Sequence, residues 1–209
     1  MQSNAARNFK SACIALIGLW LVACGTAMLD APASPAMGVR LRQDVTQYEV
    51  TGNSVPELRA SIHTRARLQP DRTGFAGYTR WSLSWTYASS TMGPRGCTPN
   101  GVQVELELAV RYPTWADSAS ADPSVQSEWQ RYLAALKAHE ANHAAIALRG
   151  ANRLARELRM MIAPSCGMLQ PDGQMRAADI VSAILEENKR YDEATRHGAT
   201  EGATLASGP

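Results

Sequence analysis

The sequence predicts an α+β fold, in which a small antiparallel sheet with a covering helix precedes a long helix and a C-terminal helix. Two segments in the first half, TRWSLSWTY and VQVELELAVRY, alternate apolar and polar residues, as half-buried strands do. After Pro113 the apolar residues recur every three to four positions, which is the spacing of an amphipathic helix. Strands that precede helices along the chain favour α+β over alternating βα units.

Local signals predict the remaining elements. A third strand is expected near TQYEV, and a helix from about Pro56, in VPELRASIHTRARL, is expected to cover the sheet. The long helix has Asp122 as its N-cap and Pro123 as its first residue, and it runs to about Met161. A last helix fits DIVSAILEENKRYDEATRH, with Gly198 as its C-cap.

The N-terminal segment has the features of an export signal. Arg7 and Lys10 precede the apolar run ACIALIGLWLVA, which is shorter than the ~20 residues that span a bilayer. The run ends in LVAC, which resembles the bacterial lipobox. This resemblance implies a signal peptide of residues 1–23, lipidation of Cys24 and, because Gly25 follows it, an outer-membrane lipoprotein facing the periplasm. The alternative is cleavage further on, at an A-x-A-like site such as ASPA, which gives a periplasmic or secreted protein.

The rest of the chain divides into a tether, one domain and a tail. Residues 24–40 are rich in Ala, Pro and Ser and predict a flexible tether, residues 41–198 a single domain, and residues 199–209 a frayed tail. The formal net charge is only +2, so the basic face that nucleic acid requires is not expected. Membrane association is expected only through the lipid anchor.

Two cysteines remain after Cys13 in the signal and the lipobox Cys24. Cys97 and Cys166 form an even pair in an exported protein, which predicts a disulfide bond. Both lie in turn-rich segments, GPRGCTPN and APSCGM, so the bond is expected to join two connections. The alternative is a pair of free, buried thiols.

The stretch LKAHEANHAAIAL places three polar groups in an apolar helix. Glu140 and His143 lie on its inward stripe and His139 lies beside it, where burial without partners costs free energy. Residues four apart lie one turn apart on the same side, so two imidazoles can bind one Zn²⁺ while the adjacent glutamate reaches its water. This H-E-x-x-H arrangement is that of zinc peptidases, and it makes Glu140 the general base.

A catalytic zinc site usually has three protein ligands, so a third must come from elsewhere. No histidine follows His143 at the metzincin spacing, and His63 is expected to face solvent on the covering helix. We therefore assign the third ligand to His197, with Glu186 or Glu187 as the alternative. The other interpretation of His197 is an ordinary histidine that interacts with the dipole at a helix C-terminus.

Pieces of sequence spread over residues 48–204 resemble a bacterial family catalogued as a domain of unknown function (922) and described as predicted secreted zinc-dependent proteases. They are YEVTGNSVPELR, GYTRWSLSWTY, Cys97, YPTW, Trp129, HEANH, Cys166 and YDEATRHGATEGATL. The resemblance implies that His139 and His143 are ligands and that Glu140 is the base. It also marks as one unit Tyr191, Asp192, Thr195, His197 and Gly198.

Two residues of that unit each have two alternative roles. Tyr191, which we assign as catalytic, is either a donor to the oxyanion of the transition state or a core tyrosine with a satisfied hydroxyl. Asp192 either orients a ligand histidine from outside the ligand set or is a solvated helix charge.

These observations together predict an exported zinc-dependent metallohydrolase with a zincin-like fold. The most direct interpretation is a peptidase that cleaves amide bonds of peptides, proteins or the cell wall. The strand Val102–Tyr112 is the expected sheet edge for an extended substrate. The alternative is a zinc-binding envelope lipoprotein with a scaffold role and no turnover. An open position on the metal favours the enzyme, whereas four protein ligands favour the scaffold.

Cys24→Ser tests the predicted lipid anchor. Because the acyl chain is attached to this cysteine, a palmitate analogue fed to expressing cells is expected to label the wild type and not the variant. Equal processing of both chains without label contradicts lipidation and leaves plain secretion.

Overall fold

The computed structural model describes residues 35–69 and 74–206, so the predicted signal peptide and Cys24 lie outside the described residues. Within them the chain forms five strands and three helices. In chain order these are β1 (Val39–Val50), α1 (Val55–Arg67), β2 (Tyr78–Thr86), β3 (Ser89–Gly93), β4 (Gly96–Asn100), β5 (Gln103–Trp115), α2 (Pro123–Arg159) and α3 (Leu169–Thr195). The α+β class is confirmed. None of the helices in these two ranges is long and apolar enough to cross a bilayer.

Strand β5 is the centre of a three-stranded sheet with the order β1-β5-β2. It pairs with β1 in parallel, Val39 opposite Val104, and with β2 in an antiparallel manner, Trp81 opposite Leu108. The sheet is therefore mixed, and the prediction of an antiparallel sheet is wrong. Alternation along a strand reports its buried face but not the direction of its neighbours. The predicted substrate edge, Val102–Tyr112, is also wrong, because β5 has a partner on each side and the edges are β1 and β2.

The two halves of β5 bury opposite faces. Val104, Leu106 and Leu108 pack into a cluster with the second half of α2 and with α3. Further along, the buried positions change parity, and Trp115 joins a second cluster with α1 and the first half of α2. Helix α2 has 37 residues, which corresponds to about 55 Å. It therefore spans both apolar clusters.

The long helix begins and ends close to the predicted positions. The side chain of Asp122 accepts a hydrogen bond from the Ser124 N–H, and Pro123 is the first helical residue, as expected of this pair. Helix α3, in contrast, begins at Leu169, ten residues before the predicted start. Pro171 did not stop it, because the first N–H groups of a helix have no intrahelical acceptor and a missing one costs little.

The hairpin β3–β4 is fastened to the connection between α2 and α3. Cys97 on β4 exchanges two backbone hydrogen bonds with Ala163, of 2.8 and 2.9 Å, and its sulfur is bonded to that of Cys166. The predicted disulfide is confirmed, although Cys97 lies on a strand and not in a turn. The bond spans 69 residues of sequence, and these include all of β5 and α2.

The disulfide is expected to stabilise the fold mainly by restricting the unfolded chain. Closing a loop of 69 residues corresponds to about 4 kcal/mol in the loop-entropy model. Cys97→Ala with Cys166→Ala is therefore expected to lower the free energy of unfolding by roughly this amount, as measured by urea titration. Reduction of the wild type is the control, and a loss of less than ~1 kcal/mol in both cases contradicts the argument.

Candidate metal centre

Three acceptor atoms converge between α2 and α3. His139 and His143 lie one turn apart on α2, with side chains 4% and 12% exposed, and their Nε2 atoms are 3.1 Å apart. Asp192, on α3, places its Oδ1 atom 3.3 Å from the first Nε2 and 3.1 Å from the second. The three atoms thus form a nearly equilateral triangle, and they are a candidate set of metal ligands.

The second nitrogen of each ring is hydrogen-bonded to an acceptor, which fixes where its proton lies. His143 Nδ1 is 2.6 Å from Asn188 Oδ1, and the amide nitrogen of Asn188 donates to the Ile184 carbonyl, so this amide cannot be turned round. His139 Nδ1 is 2.9 Å from a carboxylate oxygen of Glu201. In the neutral form of each ring these acceptors favour the proton on Nδ1, which leaves the Nε2 lone pair directed at Asp192.

A cation bound between these three acceptor atoms would stabilise their close approach. A proton bridges only two of the three atoms, whereas a metal ion accepts all three lone pairs at once. Ligand atoms ~2.0–2.1 Å from a tetrahedral Zn²⁺ lie roughly 3.3–3.4 Å from one another, close to the observed 3.1–3.3 Å. Partners on the second ring nitrogen are typical of metal-bound histidines, because they fix the tautomer and the ring orientation. The residues present therefore fit Zn²⁺.

In the structure Asp192 supplies the third atom of the triangle. The sequence analysis expected His197 to supply it. The His197 ring is exposed, stacks on Phe75 with 4.8 Å between ring centroids, and reaches Asp192 Oδ1 at 3.4 Å through Nδ1. It lies beside the triangle and is not a member of it. Of the alternatives, Glu187 forms an ion pair with Arg149, and Glu186 is exposed on α3.

A left-handed turn after α3 brings a further carboxylate to the site. Arg196 and His197 have φ angles of 52° and 53°, and Gly198 follows with 80°. A Cβ on Gly198 would meet the His139 ring at 3.0 Å, so only glycine combines this φ with this close approach. The chain then reverses, and Glu201 lies on His139.

Hydrogen bonds attach the segment after this turn to the domain. Residues 199–206 therefore differ from the frayed tail that the sequence predicted. Arg131 donates to the carbonyls of Gly202 and Thr204, at 2.8 and 2.5 Å. Arg59 donates to the Leu205 carbonyl, and Leu205 is buried in the cluster around α1. We call residues 199–206 the C-terminal strap, and its contacts hold Glu201 against His139.

Glu140 is buried next to the triangle. Its Oε2 atom accepts a 2.7 Å hydrogen bond from the Thr79 hydroxyl on β2. Burial raises the pKa of the Glu140 carboxyl, a shift that the hydrogen bond from Thr79 opposes. Gly77 lies against the same carboxylate, since a Cβ there would meet Glu140 Oε1 at 2.6 Å. The carboxylate is thus fixed in place and more basic than an exposed glutamate.

Tyr191 supports the site from one side. Its ring stacks on His139 with 4.9 Å between centroids, and its hydroxyl donates to Glu201 at 2.9 Å while accepting from Asn142 at 2.7 Å. Burial raises the pKa of the phenol, so it stays protonated. Because its proton points at Glu201, the hydroxyl orients the strap carboxylate in this arrangement.

Several site residues were missed by sequence reasoning. They are Asn188, Glu201, Thr79, Asn142 and Gly77, and Asp192 was placed outside the ligand set. A signal for part of this group does exist. Asn188, Tyr191, Asp192 and Thr195 have the spacing i, i+3, i+4, i+7, which puts polar side chains on one face of a helix. Glu201 has no such signal, because it reaches the site only through the left-handed turn.

Comparison with known families places the chain among bacterial proteins. Residues 45–198 match the model of the family described as bacterial protein of unknown function (DUF922), and the chain belongs to this family. The match contains β2, β5, α1, α2 and α3. No curated protein and no solved structure gave a match.

Substitutions at Asp192 and His197 separate the two candidate third ligands. Asp192→Asn keeps the size of the side chain but removes its charge. We therefore expect zinc affinity to fall by more than the ~10–100-fold typical of an outer partner. His197→Ala leaves the triangle intact and is expected to change affinity by less than about tenfold. Zinc titration of the purified chains against a chelator measures both, and the reverse order of effects identifies His197 as the ligand.

Proposed function

We propose that the protein is an exported zinc-dependent metallohydrolase, and that its substrates are peptide-like amides. The observation that carries the proposal is the triangle of His139, His143 and Asp192 with the Glu140 carboxylate beside it. The triangle supplies three ligand atoms, and a catalytic zinc site has three protein ligands and one open position. A structural site is closed by four, so the donor set in the described part of the chain favours an enzyme over a scaffold.

The accessible side of the triangle lies at Asp192. The His139 and His143 side chains are 4% and 12% exposed, whereas Asp192 is 29% exposed and the neighbouring His197 is exposed. Bound zinc supplies Lewis-acid polarisation of a carbonyl and lowers the pKa of water to about 7. His139, His143 and Asp192 would hold the ion, and a substrate would reach it from the more exposed Asp192 side.

Glu140 is the proposed general base. A base must hold its carboxylate within reach of the attacking water and must take the proton as the new bond forms. The Thr79 hydroxyl and the Gly77 backbone fix the carboxylate, and its raised pKa makes it a stronger base than an exposed glutamate. Thr79 binds only one of the two oxygens, which leaves Oε1 on the Gly77 side for the transferred proton.

Strand β2 is the proposed substrate edge. It is paired with β5 on one side only, and it begins at Tyr78, between Gly77 and Thr79, which both contact Glu140. An unpaired strand edge offers a row of N–H and C=O groups, which an extended peptide can extend as a further strand. A peptide bound there passes the catalytic carboxylate, and this supports a peptidase over a hydrolase of small amides.

The proposed location is the cell envelope. It rests on the export signal and the LVAC sequence that ends with Cys24. The disulfide between Cys97 and Cys166 agrees with this location, because structural disulfides persist in oxidising compartments such as the periplasm.

Glu140→Gln tests the enzymatic role. The amide keeps the shape of the side chain but cannot take a proton, so the variant is expected to bind about one zinc ion per chain and to lose hydrolysis of an unstructured protein such as casein by at least ~100-fold. Glu157→Gln on the same helix is the control and is expected to keep both properties. Zinc-loaded wild type that cleaves neither casein nor peptidoglycan peptides contradicts the proposal.

A further inference from the structure

A group of large apolar side chains is exposed around the disulfide, at the end of the molecule far from the triangle. We call it the methionine patch. Its members are between 40% and 87% exposed, and they are Met37, Met92, Met160, Ile162 and Met168. Single exposed apolar residues are ordinary on a protein surface, whereas a group of them marks a contact surface.

The members come from four segments that touch one another. Ile162 lies against the tip of the β3–β4 hairpin, where a Cβ on Gly96 would meet it at 3.0 Å. Met92 is the cross-strand partner of Cys97, and the bond from Cys97 to Cys166 fixes the turn that contains Met168. The Met37 carbonyl accepts a hydrogen bond from Arg159, next to Met160. The five side chains therefore come from segments that are joined to one another.

Positive charge surrounds the patch. Arg156 and Arg159 lie in the last turn of α2, and Arg95 is exposed in the turn of the hairpin. The nearest acidic neighbours on the adjacent elements are Glu157, which is paired with Arg153, and Asp172, in the first turn of α3. Methionine and isoleucine with arginine at the rim suit the boundary of an anionic bilayer, where apolar groups enter the acyl region and cations meet headgroups.

The chain also enters the domain next to this patch. The Ala36 N–H donates to Asn152 on the second half of α2, and Met37 and Gly38 follow along the end of that helix. Cys24 precedes Ala36 by twelve residues, a distance of at most about 40 Å even when fully extended. An acyl chain on Cys24 therefore keeps a bilayer within reach of the patch.

We propose that the methionine patch docks on the surface of an anionic lipid bilayer, as a second membrane contact beside the lipid anchor. The proposal rests on the proposed lipidation of Cys24 for the position of the bilayer, but not on zinc or on hydrolysis. The lipid anchor attaches the domain to the bilayer but leaves its orientation free. The patch fixes that orientation.

Oxidation of the methionines tests this contact in the full, acylated chain. The protein is reconstituted in vesicles of phosphatidylethanolamine and phosphatidylglycerol and exposed to dilute hydrogen peroxide. Mass spectrometry then follows sulfoxide formation at Met92 and Met168. Because a docked patch excludes the oxidant, both residues are expected to oxidise at least ~3-fold more slowly in the wild type than in a variant with Met160→Glu and Ile162→Glu.

A matched variant guards against a general effect of added charge. Leu68→Glu with Leu185→Glu changes two exposed apolar residues outside the patch, and it is expected to keep the slow rates of the wild type. Equal rates in all three chains, with each chain sedimenting with the vesicles, overturn the proposal. A loss of zinc or of hydrolysis leaves these rates unchanged, so failure of the proposed function shows separately.

Discussion

Three lone pairs that point at one another are the constraint on which this site depends. Two imidazole nitrogens and a carboxylate oxygen lie 3.1–3.3 Å apart, an arrangement that a bound cation stabilises. Each ring is held in place by an acceptor on its far side, Asn188 for His143 and Glu201 for His139. The protein thus meets the cost of preorganisation through hydrogen bonds that are formed when the domain folds.

The fold explains why α2 tolerates such polar residues in its middle. The first half of the helix packs in one apolar cluster up to Leu136, and the second half packs in the other from Ile146 onward. The H-E-x-x-H segment lies at the junction, where β2, α3 and the strap supply polar partners. A single apolar core along the whole helix would leave Glu140 and His139 without them, at the desolvation cost that burial imposes.

Sequence patterns predicted those elements whose signals are local. The cap at Asp122, the alternation in β5 and the cysteine pair each report a nearby or chemically restricted event, and each prediction was confirmed. The parallel pairing of β1 with β5 depends on which strands meet in space, and alternation does not encode that. The early start of α3 was not predicted, because Pro171 lies just after it. Proline interrupts a helix everywhere except in the first turn.

The site residues also divide into those with a local sequence signal and those placed by tertiary packing. Periodicity on α2 identifies His139, Glu140 and His143 as one group, because these residues are neighbours on one helix. Asp192 and Glu201 come from elements whose distance to α2 is set by tertiary packing, and residue type alone favoured His197 over both. Arg196 and His197 are two consecutive residues with left-handed backbone, which is unusual for residues other than glycine. Their side chains give no sequence signal for the chain reversal that follows.

The C-terminal strap has a consequence for when the donor set exists. Synthesis proceeds from the N-terminus, so residues 199–206 are made after both helices. Until the strap docks through Arg131 and Arg59, the His139 ring lacks the carboxylate that selects its tautomer. A chain without the docked strap therefore has an incomplete set of partners around His139, and the complete centre exists only once the last described residues have folded onto the domain.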